Sequence, residues 1–189
     1  MEYTSLPDEE LARRFREGDA AAFEALLDRY SRSIYNFALR LLGDPADAED
    51  AAQQTFIQAF ESFPPSRPDA SLRPWLYQVA RNKCIDLLRK RRTIPLSSLE
   101  RTDSETPQID PVDVAPLPSD LYEREELQQV LQEAIGSLPL RSREVVVMRY
   151  VGELTFAEIG RSLGMPENTA KTLFQRAKSA LRVYLRKRI

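Results

Sequence analysis

Near one end of this 189-residue chain, Asn168, Lys171, Thr172, Gln175, Arg176 and Ser179 recur three and four residues apart, the spacing that puts side chains on one side of a helix. Their chemistry is that of base reading. Asn and Gln amides match the paired donor and acceptor of adenine, Lys and Arg match guanine or phosphate, and hydroxyls serve either. A second set, Trp75, Gln78, Asn82, Asp86 and Arg89, with Arg91 beyond it, combines an aromatic ring, amides and cations, the groups that stack on unpaired bases and hold phosphates. A third set, Asp50, Gln53, Gln54, Ile57 and Glu61, is polar with one apolar residue at its centre, as non-obligate protein interfaces tend to be.

Other chemistry is poorly supplied. The chain has no histidine, one cysteine (Cys84) and 6 glycines. It therefore lacks the commonest general base and transition-metal ligand, has no second thiol for a disulfide, and carries no Gly-rich phosphate loop. We expect no catalytic residues, no metal site and no cofactor. Cys84 lies among Ala80, Leu87 and Leu88 and reads as a core residue before a redox sensor. No apolar run reaches the roughly 18–20 residues of a membrane span, and the acidic start (Glu2, Asp8, Glu9, Glu10) does not resemble a signal peptide. The expected setting is the cytoplasm, without membrane insertion.

These sets must be positioned by helices. Phe23, Leu26, Leu27, Tyr30, Ile34, Phe37, Ala38, Leu41 and Leu42 follow helical spacing until Gly43-Asp44-Pro45. A second helix directs Ala48, Ala52, Phe56, Ala59 and Phe60 to a core, leaving the third set on another face. Prolines 64, 65 and 68 make Phe63 to Arg73 a loop, and a further helix starts near Pro74 and runs into the basic stretch Arg89 to Arg92. Residues 93–120 lose periodicity and gain proline, serine and acid, the composition of a flexible linker. Helical patterning then resumes from Leu121. No segment alternates like a strand. The expected fold is all-α, with two small helical domains, 1–92 and 121–189, joined by a Pro-rich acidic linker.

The net charge of −2 conceals a segregation. Bases cluster between Arg81 and Arg92 and again from Lys171 onward, where no acid follows Glu167, while acids fill the first helices and the stretch from Glu100 to Glu126. Two basic blocks around an acidic spacer point to two contacts with DNA. In the second block, Thr155-Phe156-Ala157-Glu158 has the form of a capping box, Phe156, Ile159 and Leu163 make an apolar stripe, and Gly164-Met165-Pro166 supplies a tight turn into a helix whose Ala170, Leu173, Ala177 and Leu181 face inward. This is the pattern of a helix-turn-helix. An ordinary helical hairpin with a solvated face is the alternative, against which the capping box, the turn and the acid-free second helix act together.

Leu138-Pro139, Arg143-Glu144-Val145-Val146, Thr155 to Pro166, Thr169-Ala170-Lys171-Thr172 and Arg176-Ala177 resemble region 4 of extracytoplasmic-function (ECF) sigma factors. Asp47 to Phe56 resembles region 2.2 of the same family, and Trp75 to Arg89 resembles regions 2.3 and 2.4. The resemblance covers most of the chain outside the linker. It implies a transcription initiation factor that binds core RNA polymerase and directs it to promoter DNA. The 168–179 set would then read the minus-thirty-five element. The Trp75 to Arg91 set would engage the minus-ten element, with an extruded base held between Phe63 to Arg73 and Asn82, its unstacking cost offset by stacking and hydrogen bonds. The Asp50, Gln53, Gln54 and Ile57 stripe would grip the β′ clamp helices. Contact of the C-terminal domain with the β flap, a linker threading towards the RNA exit channel and an anti-sigma partner are also implied, while the short chain is expected to lack the extra C-terminal sensing domain that some relatives carry.

Some 28 linker residues can extend to about 90 Å, enough for promoter elements about 60–70 Å apart. Asn168, where the family often has Gly, and Phe174, where aliphatic residues are commoner, prevent copying a relative's promoter preference. On the residues alone, the Asp50 stripe could also be a solvated face and Trp75 a core anchor. Two other functions compete: a dimeric operator-binding repressor, which leaves the first 92 residues without a role, and a carboxylate-based nuclease using Asp47, Glu49 and Asp50, which the missing histidine disfavours.

Overall fold

A computed structural model describes residues 3–63, 71–93 and 119–188, and among them every regular element is a helix. Helix α1 (Asp8–Arg16) opens with Asp8, Glu9 and Glu10 and closes with Arg13, Arg14 and Arg16, each sign at the end of the helix dipole that favours it. Hydrogen bonds from Arg13 and Arg14 hold the Glu10 carboxyl down at about 2. This helix was not assigned from the sequence. Helix α2 (Ala20–Leu42) starts on an Asp19 cap, whose carboxylate accepts from the Ala21 amide at 3.1 Å, and stops at Gly43. Helix α3 (Pro45–Glu61) has Pro at its first turn and Asp44 as cap; the Asp47 amide, 2.9 Å away, helps keep the Asp44 carboxyl below its ordinary range.

Helix α4 (Leu72–Thr93) begins two residues before the expected Pro74, so Arg73 is helical and not in the loop. Pro74 is tolerated because a first-turn amide has no intrahelical partner to lose. Helix α5 spans Ser119–Gly136, α6 Leu140–Tyr150, α7 Phe156–Leu163 and α8 Glu167–Leu185. The flexible-linker expectation falls almost wholly outside the described residues.

In the N-terminal half the predicted α2 face is the core except at Leu27, which is exposed: Phe23, Leu26, Tyr30, Ile34, Phe37 and Leu41 are buried with Leu76, Tyr77, Ala80 and Cys84 of α4. Helix α3 lies close because its inner side is Ala48, Ala51, Ala52 and Ala59, with Thr55 also buried, its hydroxyl donating to the Ala51 carbonyl at 2.6 Å. Phe60 departs from expectation. It is 57% exposed, resting one side on the rings of Phe15 and Phe23 at 5.5 and 5.3 Å. The alanine face had already closed the interior.

In the C-terminal half Val145, Val147, Met148, Leu154 and Ile159 are buried with Ala170, Phe174 and Ala177 of α8. The core continues between the halves: α5 and α6 pack on α2, and α7 on α4. Composition gave no sign of this mutual packing.

Candidate nucleic-acid interface

The C-terminal motif is a helix-turn-helix built as its sequence requires. The Thr155 hydroxyl accepts from the Glu158 amide at 3.3 Å and the Thr155 amide donates to Glu158 Oε2 at 2.7 Å, completing the capping box of α7. The helix ends at Gly164, and the Met165 amide returns to the Gly160 carbonyl at 2.9 Å. Gly160 is needed for this closure, because a Cβ there would lie 2.7 Å from the Met165 carbonyl oxygen. Helix α8 is then clamped along one side. Phe174, taken from sequence as an oddity, is 9% exposed, with its ring 5.3 Å from Phe156 and 5.6 Å from Tyr150. Ala170 and Ala177 are buried beside it, whereas Leu173 and Leu181, expected inward, are only partly buried.

With that side sealed, Asn168, Lys171, Thr172, Gln175, Arg176 and Ser179 are all exposed. They span about 16 Å of helix at 1.5 Å per residue, the scale of a major-groove contact. Thr172 and Ser179 donate back to the carbonyls of Asn168 and Gln175 at 2.9 and 3.1 Å, so their lone pairs face outward as acceptors. Lys171 lies 2.7 Å from Glu167, one turn earlier, so the acid at the start of the helix is close enough to offset part of its charge. Arg176 has no ion pair among the described residues.

The N-terminal set is held differently. Gln78, Asn82, Asp86 and Arg89 are exposed along successive turns of α4, with Asp86 and Arg89 3.9 Å apart. Trp75 is half-buried, its ring 6.0 Å from Phe63, so it packs on the aromatic cluster and still shows an edge beside this stripe. Arg91 does not join them. Nine residues after Asn82 is about two and a half turns, which turns it to the opposite side of α4, where it meets Asp47 at 2.5 Å and Asp44 at 3.4 Å. The base site expected between residues 63–73 and Asn82 depends on residues 64–70, outside those described. Cys84 is fully buried and its thiol is pushed up to about 12, chiefly by burial, which suits a core residue and not a reactive one.

Asp50, Gln53, Gln54 and Ile57 are exposed on α3, Ile57 by 50%, and Phe60 extends their apolar part. Sequence reasoning missed Phe60; the run of alanines opposite was the available signal. A cleft of about 550 Å³ between α3 and α4 has Asp50 and Gln54 on one wall and Asp86, Arg89 and Lys90 on the other. Two sets that the sequence kept separate thus share one groove. Among the described residues no cluster of carboxylates and cysteine could hold a metal ion, and no helix is long and apolar enough to cross a membrane.

Comparison with known proteins agrees with this arrangement. Residues 26–94 match the family model of Sigma-70 region 2, and residues 128–181 match that of Sigma-70 region 4. The chain is 35% identical over 176 residues to the ECF RNA polymerase sigma factor SigW of Bacillus subtilis, covering 92% of this chain and 94% of that protein. It is 28% identical to the ECF RNA polymerase sigma-E factor of Escherichia coli, over 93% of each. The fold matches CnrH, solved in complex with the cytosolic domain of CnrY, with a TM-score of 0.70 at 24% identity over 95% of this chain and 97% of that one. It also matches sigma factor RpoE of Bartonella quintana, solved with the anti-sigma factor NepR, with a TM-score of 0.65 at 23% identity over 87% and 96%. With both regions matched in order, and with a relative this similar along nearly its whole length, the chain belongs to the ECF family of RNA polymerase sigma factors.

Proposed function

We propose that this sigma factor, a DNA-binding initiation factor and not an enzyme, divides its work between residues 1–92 and 121–189, joined by a linker over 93–120. Helix α8 enters the major groove of the minus-thirty-five element, with Asn168, Gln175 and Arg176 towards base edges or phosphates and Lys171, Thr172 and Ser179 beside them. Helix α4 takes the minus-ten strand along Trp75, Gln78, Asn82, Asp86 and Arg89. Arg91, turned away and paired with two carboxylates, serves that strand only if those pairs break. Asp50, Gln53, Gln54 and Ile57, joined by Phe60, meet the β′ clamp helices, and the C-terminal half meets the β flap. An anti-sigma factor, such as the one bound to the Bartonella quintana protein, restrains the chain, which works in the cytoplasm.

The observation that supports this reading is that Asn168, Lys171, Thr172, Gln175, Arg176 and Ser179, the proposed base-reading side, are all exposed on the second helix of a helix-turn-helix, in a chain of this family. The experiment is transcription in vitro with core polymerase on candidate promoters. Specific initiation that depends on this chain is expected; a chain that neither associates with core nor directs initiation would overturn the reading.

A further inference from the structure

A groove of about 560 Å³ is lined by residues of α2, α5, α6 and α8, and none of the base-reading, minus-ten or α3 side chains belongs to it. Its walls are apolar. Ile135, Val146 and Val147 are buried in the core, and Leu131 and Leu181 are partly buried against it. No acid lines the groove, yet three cations do: Arg40 on α2, and Lys178 and Arg182 one turn apart on α8. Sites for small molecules have this make-up, an apolar concavity of about 300–1,000 Å³ with a few polar groups that fix orientation.

The cations lack anions. Arg40 is half-buried, and its Nη1 donates to the Gln132 side-chain oxygen at 3.0 Å and to the Gln128 carbonyl at 3.5 Å, both neutral acceptors. Burial alone pushes the pKa of this guanidinium down. Lys178 and Arg182 are exposed and, like Arg40, have no ion pair among the described residues. Glu133, the α5 carboxylate that reaches α8, is engaged elsewhere: it meets Arg188 at 3.1 Å and accepts from the Tyr184 hydroxyl at 3.3 Å. A guanidinium drawn partly out of water without a counter-charge favours an incoming anion. The walls require that anion to carry an apolar body.

An α-helix of another protein fits poorly. With side chains it is about 10–12 Å across, so a single turn of about 5.4 Å already takes roughly 400–600 Å³, and the groove would hold little more than that. One unbranched alkyl chain suits the space better. We propose that this groove binds a single long-chain fatty acid, with its chain along Leu131, Ile135, Val146 and Leu181 and its carboxylate on Arg40, within a positive rim completed by Lys178 and Arg182. A guanidinium can direct two parallel N–H groups at a carboxylate, and each methylene withdrawn from water adds to affinity. The site gives a small-molecule ligand to a chain otherwise read as meeting only DNA and proteins.

The test titrates the full chain with dodecanoate, kept below its micelle concentration, by calorimetry, with circular dichroism in parallel. One dodecanoate per chain is expected, with helix content unchanged at saturation and binding tighter than that of decanoate by up to about tenfold. Dodecyltrimethylammonium, with the same chain and the opposite charge, should show no saturable binding. Arg40→Gln is expected to weaken dodecanoate about tenfold or more by removing a charge-assisted pair, whereas Arg32→Gln, exposed on the same helix and outside the groove, leaves affinity at the wild-type value. Leu181→Gln should weaken it as well; if that variant loses helix content, Leu185→Gln, at the last residue of α8, decides. The assay contains neither DNA nor polymerase, so its failure is distinct from failure to support initiation. Absent or unsaturable binding, loss of helix on titration, equal uptake of the cationic amphiphile or an Arg40→Gln variant that binds as well as wild type overturns the proposal. So does a groove that takes an acidic amphipathic peptide or a second copy of the chain, read by sedimentation, while refusing dodecanoate.

Discussion

Helices α8 and α4 carry comparable sets of amides, hydroxyls and cations, yet they hold them in contrasting ways. Helix α8 is anchored along one side by Ala170, Phe174 and Ala177, and its six base-reading candidates all face solvent. Helix α4 is packed by α2, α3 and α7, so several of its cations meet carboxylates: Arg73 with Glu153, Arg81 with Glu144, Arg91 with Asp44 and Asp47. A helix sealed on one side displays its chemistry by default. One surrounded on several sides brings its cations within reach of neighbouring carboxylates, and for Arg81, only 19% exposed, the pairing offsets the cost of leaving water.

Phe174→Ala would break this contrast most strongly. Removing the buried ring is expected to cost about 3–5 kcal/mol, read as a lower urea midpoint for the C-terminal half and loss of duplex binding. If α8 kept its stability, its display would not depend on that anchor. Next in size, Asp50→Arg reverses the charge on the exposed α3 wall and should weaken association with core polymerase at least tenfold, about 1.4 kcal/mol or more, with helix content unchanged by circular dichroism. Undiminished assembly would remove this wall from the interface. The finest comparison lies within α8. Arg176→Ala is expected to lower the slope of log affinity against log salt by about one unit if it neutralises a phosphate, while Lys171→Ala, already offset by Glu167, should lower it less. Equal slopes would show that the Glu167 pair opens freely on DNA.

Most of the C-terminal half was legible because its signals are local. The Thr155–Glu158 reciprocal cap, the Gly164 turn and the three-and-four spacing of α8 each act within a few residues. The α2 face was legible for the same reason. What sequence left hidden depends on distant partners. Phe60 has the look of a core residue, and only the closeness of α3 to its neighbours leaves it half outside. Phe174 is fixed by Tyr150 and Phe156, on two other elements. Arg91 belongs by composition with the basic run, but the turn of the helix delivers it to Asp47. Glu144, within a sequence that marks region 4, gives no hint that its carboxylate is spoken for by the other half.

The groove between α3 and α4 has a practical consequence for anyone dissecting this protein by mutation. Asp50 and Gln54 line the same groove as Asp86, Arg89 and Lys90, and charges feel one another over roughly 8 Å at physiological salt. A reversal of sign on either bank changes the electric field on the other. Loss of transcription from such a variant therefore does not by itself separate impaired docking from impaired strand capture, and each bank has to be scored in its own assay before the two roles are told apart.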